Sequence, residues 1–409
     1  MRSNHDLVFL VSLTKAESKM AAEKYVCANC FADYAVQAFI QTEAVSRECD
    51  YCEEQSDNDI AAPLRDVIRF IRDGIETEWA TPEDESLLWD SEEGRYMLPV
   101  KDSYDLLVES SLSIESDQLL EDINDKLRDF QWCQRDPYRL TKEEEWYSDW
   151  ESFSEQLKHE TRHVFYRLPR RDQETVSNEQ VAFEILDEIG EFVSELDLIR
   201  TLPQGTRIVR ARPHGEHESF SAVEDLGPPS REAAIYSNRM SPAGIPMFYG
   251  STDEDTALAE IHQSKFATVA TFETLRSFKI LDLTQLPDTP SLFDQQRNYQ
   301  RPKIKFLWNF LDDIMKRVEK DGREHIEYVP TQVVTEYFRR VFRDYEGEAI
   351  KGILYPSARR EEGQSYVLFF EIEDCSQNDR LVDASDNKWL SMIVGSVSEK
   401  VADVWRSTS

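Results

Sequence analysis

The chain has 409 residues, 40% hydrophobic and 31% charged, which is enough for two or three domains with ordinary cores. Its formal net charge is −33, and this acidity argues against general binding to the phosphate backbone of nucleic acids. No apolar run approaches the ~20 residues that a membrane helix needs, and no secretory signal is recognisable. We therefore expect a cytoplasmic protein that does not span a membrane.

The acidity is uneven along the chain. Residues 1–203 contain 21 Lys and Arg against 47 Asp and Glu, a net charge of −26, whereas the rest contains 26 against 33, a net charge of −7. The first half therefore has either a well-solvated acidic surface or a surface for a basic partner. Residues 1–19 precede a cleaner start at Met20, and we interpret them as an extension or a disordered tail.

Four of the six cysteines form two C-x2-C pairs, Cys27 with Cys30 and Cys49 with Cys52. Each such turn can direct two thiolates to one point, and two turns complete the tetrahedron that Zn²⁺ prefers. Because all four ligands are cysteines, no coordination position is left for a substrate. The spacing predicts a structural zinc ion.

The next part of the chain is predicted to be helical. Apolar residues recur every three or four positions along residues 60–75 and 146–157, the spacing of one helix face. Thr141 and Glu144 have the spacing of a capping box in front of the second stretch. Residues 80–118 are acidic and poorly periodic, so we predict a linker or loop there.

The pattern changes after the turn Leu202-Pro203-Gln204-Gly205. Strands are predicted at residues 206–212, 247–250, 267–272, 278–283, 350–354 and 366–371, with helices at 304–319 and 330–343. The second half is therefore mixed α+β. The expected organisation is a four-cysteine zinc module at 20–56, a helical domain at 57–202, an α+β domain at 203–380 and a C-terminal extension at 381–409.

Five residues of the second half could form a binding or catalytic site. They are Arg210 on a strand, Arg239, Tyr249 on a strand, Glu260 on the following helix and Ser357 after a late strand. Taken singly, each is an ordinary surface, core or turn residue. The glycine-rich motifs G-x-x-x-x-G-K-[ST] and G-x-G-x-x-G are absent from the sequence, so arginines would have to hold the phosphates of any bound nucleotide.

The run GPPSREAAIYSNRMSPAGIPMFYGSTDEDTALAEI, residues 227–261, resembles the signature of the RES-domain family, named for its Arg, Glu and Ser. Arg210 in IVRAR and Arg239 in SNRMSPAG match the two family arginines. Tyr249 and Glu260 match at the family's spacing, and Ser357 in YPSAR matches the serine. In one departure, Ser237-Asn238 replaces the usual Gly-Gly. The resemblance covers about residues 203–380.

The resemblance implies an ADP-ribosyltransferase-like fold and consumption of NAD. In that chemistry Glu260 would stabilise an oxocarbenium-like ribose, Arg210 and Arg239 would clamp the diphosphate, and Tyr249 would stack on the nicotinamide ring. Ser357 would hydrogen-bond the carboxamide or the ribose. The acceptor of ADP-ribose is open between water, phosphate and a protein side chain. Family members act as toxins in toxin–antitoxin pairs, which implies an antitoxin or other regulatory partner.

The first half is similar to the HEPN-like region that accompanies some RES domains, through the paired C-x2-C motifs and WESFSEQLKHETRHVFY at residues 150–166. HEPN ribonucleases use an R-x4–6-H motif. Here that spacing occurs only among Arg207, Arg210, Arg212, His214 and His217, outside any predicted helix. A ribonuclease is therefore the less favoured alternative. A catalytically silent module that binds nucleotide and partner stays open, as does oligomerisation.

Overall fold

The computed structural model describes residues 23–127, 131–162, 178–261, 264–318, 322–377 and 387–401. The proposed extension at residues 1–19 lies outside these ranges. The chain forms two compact units, the first from residues 1–138 and 290–298 and the second from residues 139–289 and 299–409.

The first unit combines helices with short strands. Its helices are α1 (Tyr34–Glu43), α2 (Leu64–Glu78), α3 (Ser103–Glu109) and α4 (Asp117–Leu127). Its strands are β1 (Tyr25–Cys27), β2 (Ala61–Pro63), β3 (Trp79–Ala80), β4 (Trp89–Asp90), β5 (Arg95–Tyr96), β6 (Lys101–Asp102) and β7 (Gln131–Gln134). The predicted helical face of α2 is present, because Val67, Ile71 and Ile75 are buried in the core of this unit. The first half is thus helical only in part.

The prediction of a linker or loop over residues 80–118 is wrong. The segment contains β4, β5, β6 and α3, and Leu106 and Leu107 of α3 are buried. The buried indole of Trp132 on β7 donates a 2.9 Å hydrogen bond to Ser103 Oγ at the start of α3. A helix of seven residues is too short to show a convincing 3.6-residue period, and its acidic neighbours masked the two leucines.

A short segment from the middle of the second half belongs to the first unit. Phe293 is fully buried in the first unit's core. It packs so closely on α2 that a Cβ placed on Gly74 would lie 2.5 Å from its Cδ1 atom. Ser291 Oγ donates a 2.6 Å hydrogen bond to Asp33, whose side chain also accepts from Ala35 N and caps α1. The first unit is therefore discontinuous in sequence.

The second unit is a large mixed sheet with helices. Its helices are α5 (Lys142–His159), α6 (Asn178–Glu195), α7 (Val223–Leu226), α8 (Glu254–Glu260), α9 (Arg301–Met315), α10 (Glu324–Glu327) and α11 (Val329–Arg340). Its strands are β8 (Ile199–Leu202), β9 (Arg207–His214), β10 (Phe248–Ser251), β11 (Phe266–Thr274), β12 (Phe278–Asp282), β13 (Gly352–Pro356), β14 (Gln364–Leu368), β15 (Cys375–Gln377), β16 (Leu390–Met392) and β17 (Ser398–Val401). The prediction of a mixed α+β second half is confirmed.

The strand order of this sheet is β15-β16-β11-β9-β10-β14-β13-β12-β8, and β17 also pairs with β11. The pairs β12–β13 and β15–β16 are parallel, and the others are antiparallel. Alternate residues face two separate cores: Ile353 and Val367 belong to one, Leu354 and Leu368 to the other. Strands β16 and β17 lie in the proposed C-terminal extension but are part of this sheet.

Helices α5 and α6 belong to the second unit, although their sequence lies in the predicted helical domain at 57–202. Trp150 of α5 stacks edge-on against Phe310 of α9, with ring centroids 4.8 Å apart. The capping box is seen in the Glu144 carboxylate, which accepts a 2.8 Å hydrogen bond from Thr141 N. The compact units divide the chain before α5, whereas the predicted boundary lies after α6, because the apolar faces of both helices complete the core beside the sheet.

Candidate active site

Helix α8 places Glu260 at its last position. The side chain of Asp253 caps the helix by accepting a 2.9 Å hydrogen bond from Thr256 N, and Arg360 forms an ion pair with the same carboxylate. Ala257 and Leu258 on the inner face are buried, whereas Glu260 is exposed. The strand–turn–helix around Asp253 therefore presents a carboxylate at the surface from a fixed backbone.

Two serine hydroxyls hold the Glu260 carboxylate. Ser357 Oγ donates a 2.7 Å hydrogen bond to Glu260 Oε1, and Ser365 Oγ lies 3.3 Å from the same oxygen. Ser365 is itself 3.4 Å from Ser251 Oγ across the β10–β14 pair. Within the described residues no hydrogen bond reaches Glu260 Oε2. The carboxylate is thus fixed through one oxygen, and the other is available to a ligand.

Tyr249 and Arg210 are connected on neighbouring strands. Arg210 Nη1 donates a 2.6 Å hydrogen bond to the carbonyl of Tyr249, and its guanidinium carbon lies 5.3 Å from the Phe248 ring centroid. Arg210 Nε is enclosed and has no hydrogen-bond partner in the described part of the chain. Burial and, to a lesser extent, the neighbouring Arg212 lower the pKa of Arg210 to about 10, so the group remains cationic at neutral pH.

The Tyr249 hydroxyl lies 2.8 Å from Ser241 Oγ. Burial raises the pKa of Tyr249 to about 12, although the Ser241 hydrogen bond and the charges of Arg210 and Arg239 act in the opposite direction. At neutral pH the phenol is therefore protonated. It can serve as an aromatic face with a fixed orientation, but not as a base.

These residues surround a cleft of about 570 Å³, within the size range of small-molecule sites. Arg210, Tyr249 and Glu260 line it, and Ser357 is joined to it through Glu260. Arg239 is placed differently: its Nη1 donates a 2.9 Å hydrogen bond to the Ile314 carbonyl, and it is not among the residues lining the cleft. The structure thus brings four of the five predicted residues together.

The cleft also contains residues that the sequence did not single out. Tyr236 lines the wall with 77% of its surface exposed, and Ser365 and Tyr355 line the inner part. Burial and the nearby Glu260 raise the pKa of Tyr355 well above its ordinary value. Tyr355 lies two residues before Ser357, which is the signal that could have identified it. Nothing in the local sequence distinguishes Tyr236 or Ser365 from ordinary loop and strand residues.

The four cysteines of the first half form one cluster, with Sγ atoms within 4.8 Å of one another. The closest separations are 3.4 Å for Cys27–Cys52, 3.7 Å for Cys30–Cys49 and 3.8 Å for Cys27–Cys30. Four sulfurs at ~2.3 Å from a tetrahedral metal would be about 3.8 Å apart, so the thiols fit such an ion. Cys27, Cys30 and Cys49 are also buried in the core of the first unit.

The Arg–His spacings that resemble a ribonuclease motif lie on a strand and in the turn that follows it, which contains His217. Arg207, Arg210, Arg212 and His214 all belong to β9, which pairs along its length with β11. Alternate side chains of a strand point to opposite faces, so this segment does not present the helical arrangement of a HEPN ribonuclease.

Among the described residues, no helix combines the length and apolar character required to cross a membrane.

The architecture is that of a protein with a cysteine-rich, partly helical first unit and an α+β second unit containing a charged cleft. Residues 42–170 match the model of HEPN/RES N-terminal domain 1, and residues 206–389 match that of the RES domain. The chain belongs to the RES-domain family, with a HEPN/RES-type N-terminal domain. This membership is consistent with an NAD-related role. Comparisons with curated proteins and with solved structures found no match.

Proposed function

We propose that the second unit cleaves the bond between nicotinamide and ribose in NAD. The observation that carries this proposal is the Glu260 carboxylate, held through Oε1 by Ser357 and with Oε2 open to a ligand. In the reaction the C1′–N1 bond breaks and its electron pair neutralises the pyridinium, so nicotinamide leaves without needing a proton. The barrier lies in the positive charge that develops on the ribose.

Glu260 would stabilise that charge and accept a hydrogen bond from a ribose hydroxyl through Oε2. Ser357 already donates to Glu260 Oε1, which supports a positioning role for this serine in place of the direct substrate contact that the resemblance implied. Backbone N–H groups of Arg359 and Arg360 donate to Ser357 Oγ at 3.1 Å and 3.3 Å, so the hydroxyl is itself oriented.

Arg210 would bind the diphosphate. Its Nη1 is used by the Tyr249 carbonyl, which leaves Nη2 without a hydrogen bond among the described residues. A charged hydrogen bond from this side to a phosphate oxygen would be strong in a partly buried site. Arg239 remains a proposed second contact, reached through the donors that the Ile314 carbonyl does not use.

Two aromatic residues suit the two bases of the dinucleotide. Tyr249, fixed by Ser241, would face the cationic nicotinamide ring. Tyr236, exposed on the cleft wall, would stack on the adenine. Because adenine stacking involves the whole ring face, it needs no hydrogen bond from the tyrosine.

The cysteine cluster would hold one Zn²⁺ through Cys27, Cys30, Cys49 and Cys52. With four thiolate ligands the ion would supply folding free energy to the first unit. An acidic unit of this kind would restrain or trigger the NAD-consuming unit. A protein that depletes NAD would be toxin-like. The cell that makes it would need a regulatory partner to hold the activity back.

The test is incubation of the purified protein with NAD, followed by chromatography of nicotinamide and the ribose product. Release of nicotinamide together with ADP-ribose indicates that water is the acceptor. A phosphorylated ADP-ribose formed in phosphate buffer indicates phosphate, and ADP-ribose that stays attached to a protein indicates a side chain. Binding of NAD without any release of nicotinamide would leave the binding-module alternative and refute the enzymatic proposal.

A further inference from the structure

A second cavity lies in the second unit, beside the last turn of α9. Its volume is about 280 Å³, just below the range of sites for drug-sized molecules. The C-terminal end of α5, the segment after α9 and the start of α11 form its walls. It shares no lining residue with the larger cleft. Its size suits a small ion or a single phosphate group, and it is too small for a whole dinucleotide.

The lining of this cavity is basic in a chain whose net charge is −33. The cationic residues that line it are Lys158, Lys316, Arg317 and Arg323, against the two acids Asp313 and Glu327. Both acids already have partners. Asp313 Oδ2 accepts a 2.8 Å hydrogen bond from the Trp150 indole, and Glu327 forms a 3.1 Å ion pair with Lys158. Because Lys158 is itself one of the four cations, the pairing with Glu327 cancels one charge of each sign. The six charged lining residues together have a formal net charge of +2 (four cations minus two acids), which favours an anion.

Two hydrogen bonds connect the walls of this cavity to Arg239 and to the residue that follows Ser357. Arg317 Nε donates a 2.5 Å hydrogen bond to the carbonyl of Ala358, the residue after Ser357. Arg239 Nη1 donates to the carbonyl of Ile314, which lines the cavity. An anion that draws Arg317 or the end of α9 inward would thus act on the segment that holds Glu260.

We propose that this cavity binds a phosphate group. Lysine ammonium groups and arginine forks are the side chains that recognise phosphate most strongly, and a tetrahedral oxyanion can accept from several of them at once. The phosphate could be free inorganic phosphate or a phosphoryl group of a nucleotide that occupies the cleft. This inference does not depend on turnover of NAD, because the cavity and its charges are separate from Glu260.

The experiment is isothermal titration calorimetry of the full chain with inorganic phosphate and, separately, with ADP-ribose. The variants are Lys316→Gln and Arg323→Gln. The matched control is Arg340→Gln, which removes one exposed positive charge from α11 outside the cavity. We expect each cavity variant to weaken phosphate binding about tenfold or more and the control to leave it within about twofold, since a phosphate that touches the cavity loses one charged hydrogen bond.

If the ligand is free phosphate, the cavity variants should leave the affinity for ADP-ribose unchanged. If the ligand is a phosphoryl group of a nucleotide, the cavity variants should also weaken the binding of ADP-ribose, and phosphate should compete with ADP-ribose. The proposal is overturned by the absence of phosphate binding at millimolar concentration, or by equal losses in Arg340→Gln and the cavity variants. Either result is independent of whether nicotinamide is released, so the failure of this proposal is distinguishable from the failure of the proposed function.

Discussion

Ser357 and Glu260, 97 residues apart in sequence, are joined by a 2.7 Å hydrogen bond at the edge of the cleft. The serine donates to the carboxylate, and the N–H groups that follow it fix the serine. Two residues that a family resemblance had identified separately therefore form one unit. In the proposed function, the serine orients the carboxylate, and the carboxylate is the group that contacts the substrate.

Glu260→Gln should preserve the fold and lower the rate of nicotinamide release by about two to three orders of magnitude, as loss of an electrostatic stabiliser does. Ser357→Ala should lower kcat about 10- to 150-fold with little change in KM, because a hydrogen bond to a charged group contributes roughly 1.5–3 kcal/mol and here acts through Glu260. Steady-state kinetics would measure both.

The matched control is Ser277→Ala, an exposed serine that does not line the cleft. It should behave as the native protein. A Ser357→Ala variant that changed only KM would contradict the positioning role and favour a direct contact between Ser357 and the substrate.

Tyr236→Ala should weaken ADP-ribose binding about 5- to 150-fold, because stacking on a base contributes ~1–3 kcal/mol. Nicotinamide mononucleotide lacks the adenylate half, so its affinity should not change. Tyr236→Phe keeps the ring and should remain close to native. Tyr345→Ala is a suitable control, since Tyr345 is 78% exposed against 77% for Tyr236. A loss of affinity for nicotinamide mononucleotide with ADP-ribose unaffected would place the Tyr236 ring against the nicotinamide, and equal losses for both ligands would place it against the ribose phosphate that they share.

Much of the second unit could be predicted because its elements have strong local patterns. The predicted strand at residues 278–283 corresponds to β12 (Phe278–Asp282), and the predicted helix at 330–343 corresponds to α11 (Val329–Arg340). Helix ends differ by a few residues because caps and tertiary packing decide them. The family motif likewise identified Arg210, Tyr249 and Glu260, which line one cleft.

The relationships that could not be predicted depend on distant pairing. Ser365 meets Glu260 only because β14 pairs with β10 in the register that sets Ser365 opposite Ser251, 114 residues away. Phe293 joins the first unit only because a gap beside Gly74 accepts its ring. A sequence read locally contains neither the register nor the gap.

Asp253→Ala should destabilise the second unit by about 1 kcal/mol, the usual effect of losing a helix N-cap, and should lower turnover because α8 carries Glu260. Burial acts to raise the pKa of Asp253, but hydrogen bonds from Thr256 and the charge of Arg360 outweigh it, and the folded pKa lies below the ordinary 3.8. A depressed carboxyl pKa stabilises the fold above pH 3.8 and loses its effect as the pH falls through the folded value.

Thermal unfolding of the native protein and the Asp253→Ala variant should therefore differ at pH 7 and converge as the pH falls below about 4. Asp253→Asn retains an oxygen that can accept from Thr256 N and should lose less stability at pH 7 than the alanine variant. A difference between native and alanine variant that persisted unchanged at pH 3 would rule out the carboxylate as its source.

The cysteine cluster should contain about one metal ion per chain, which elemental analysis of protein purified without chelator would detect. Cys49→Ser should abolish the bound metal and lower the melting temperature of the first unit, because the metal's binding free energy is folding free energy. Cys133→Ala, a buried cysteine of the same unit outside the cluster, should keep the metal. Native protein without metal would contradict the assignment.

Phe293→Ala tests whether the segment at residues 290–298 stabilises the first unit. The ring is fully buried in that unit's core, and removal of a buried phenylalanine typically costs about 3–5 kcal/mol through lost apolar contact and the cavity left behind. Tyr299→Ala, six residues later and 62% exposed, should have little effect.

Calorimetry and limited proteolysis would follow the unfolding of the two units. We expect the transition of the first unit to fall, with early cleavage within residues 23–127, while nicotinamide release measured at low temperature persists. Early cleavage within the second unit in Phe293→Ala, with the first unit intact, would mean that the segment instead stabilises the unit from which its sequence comes.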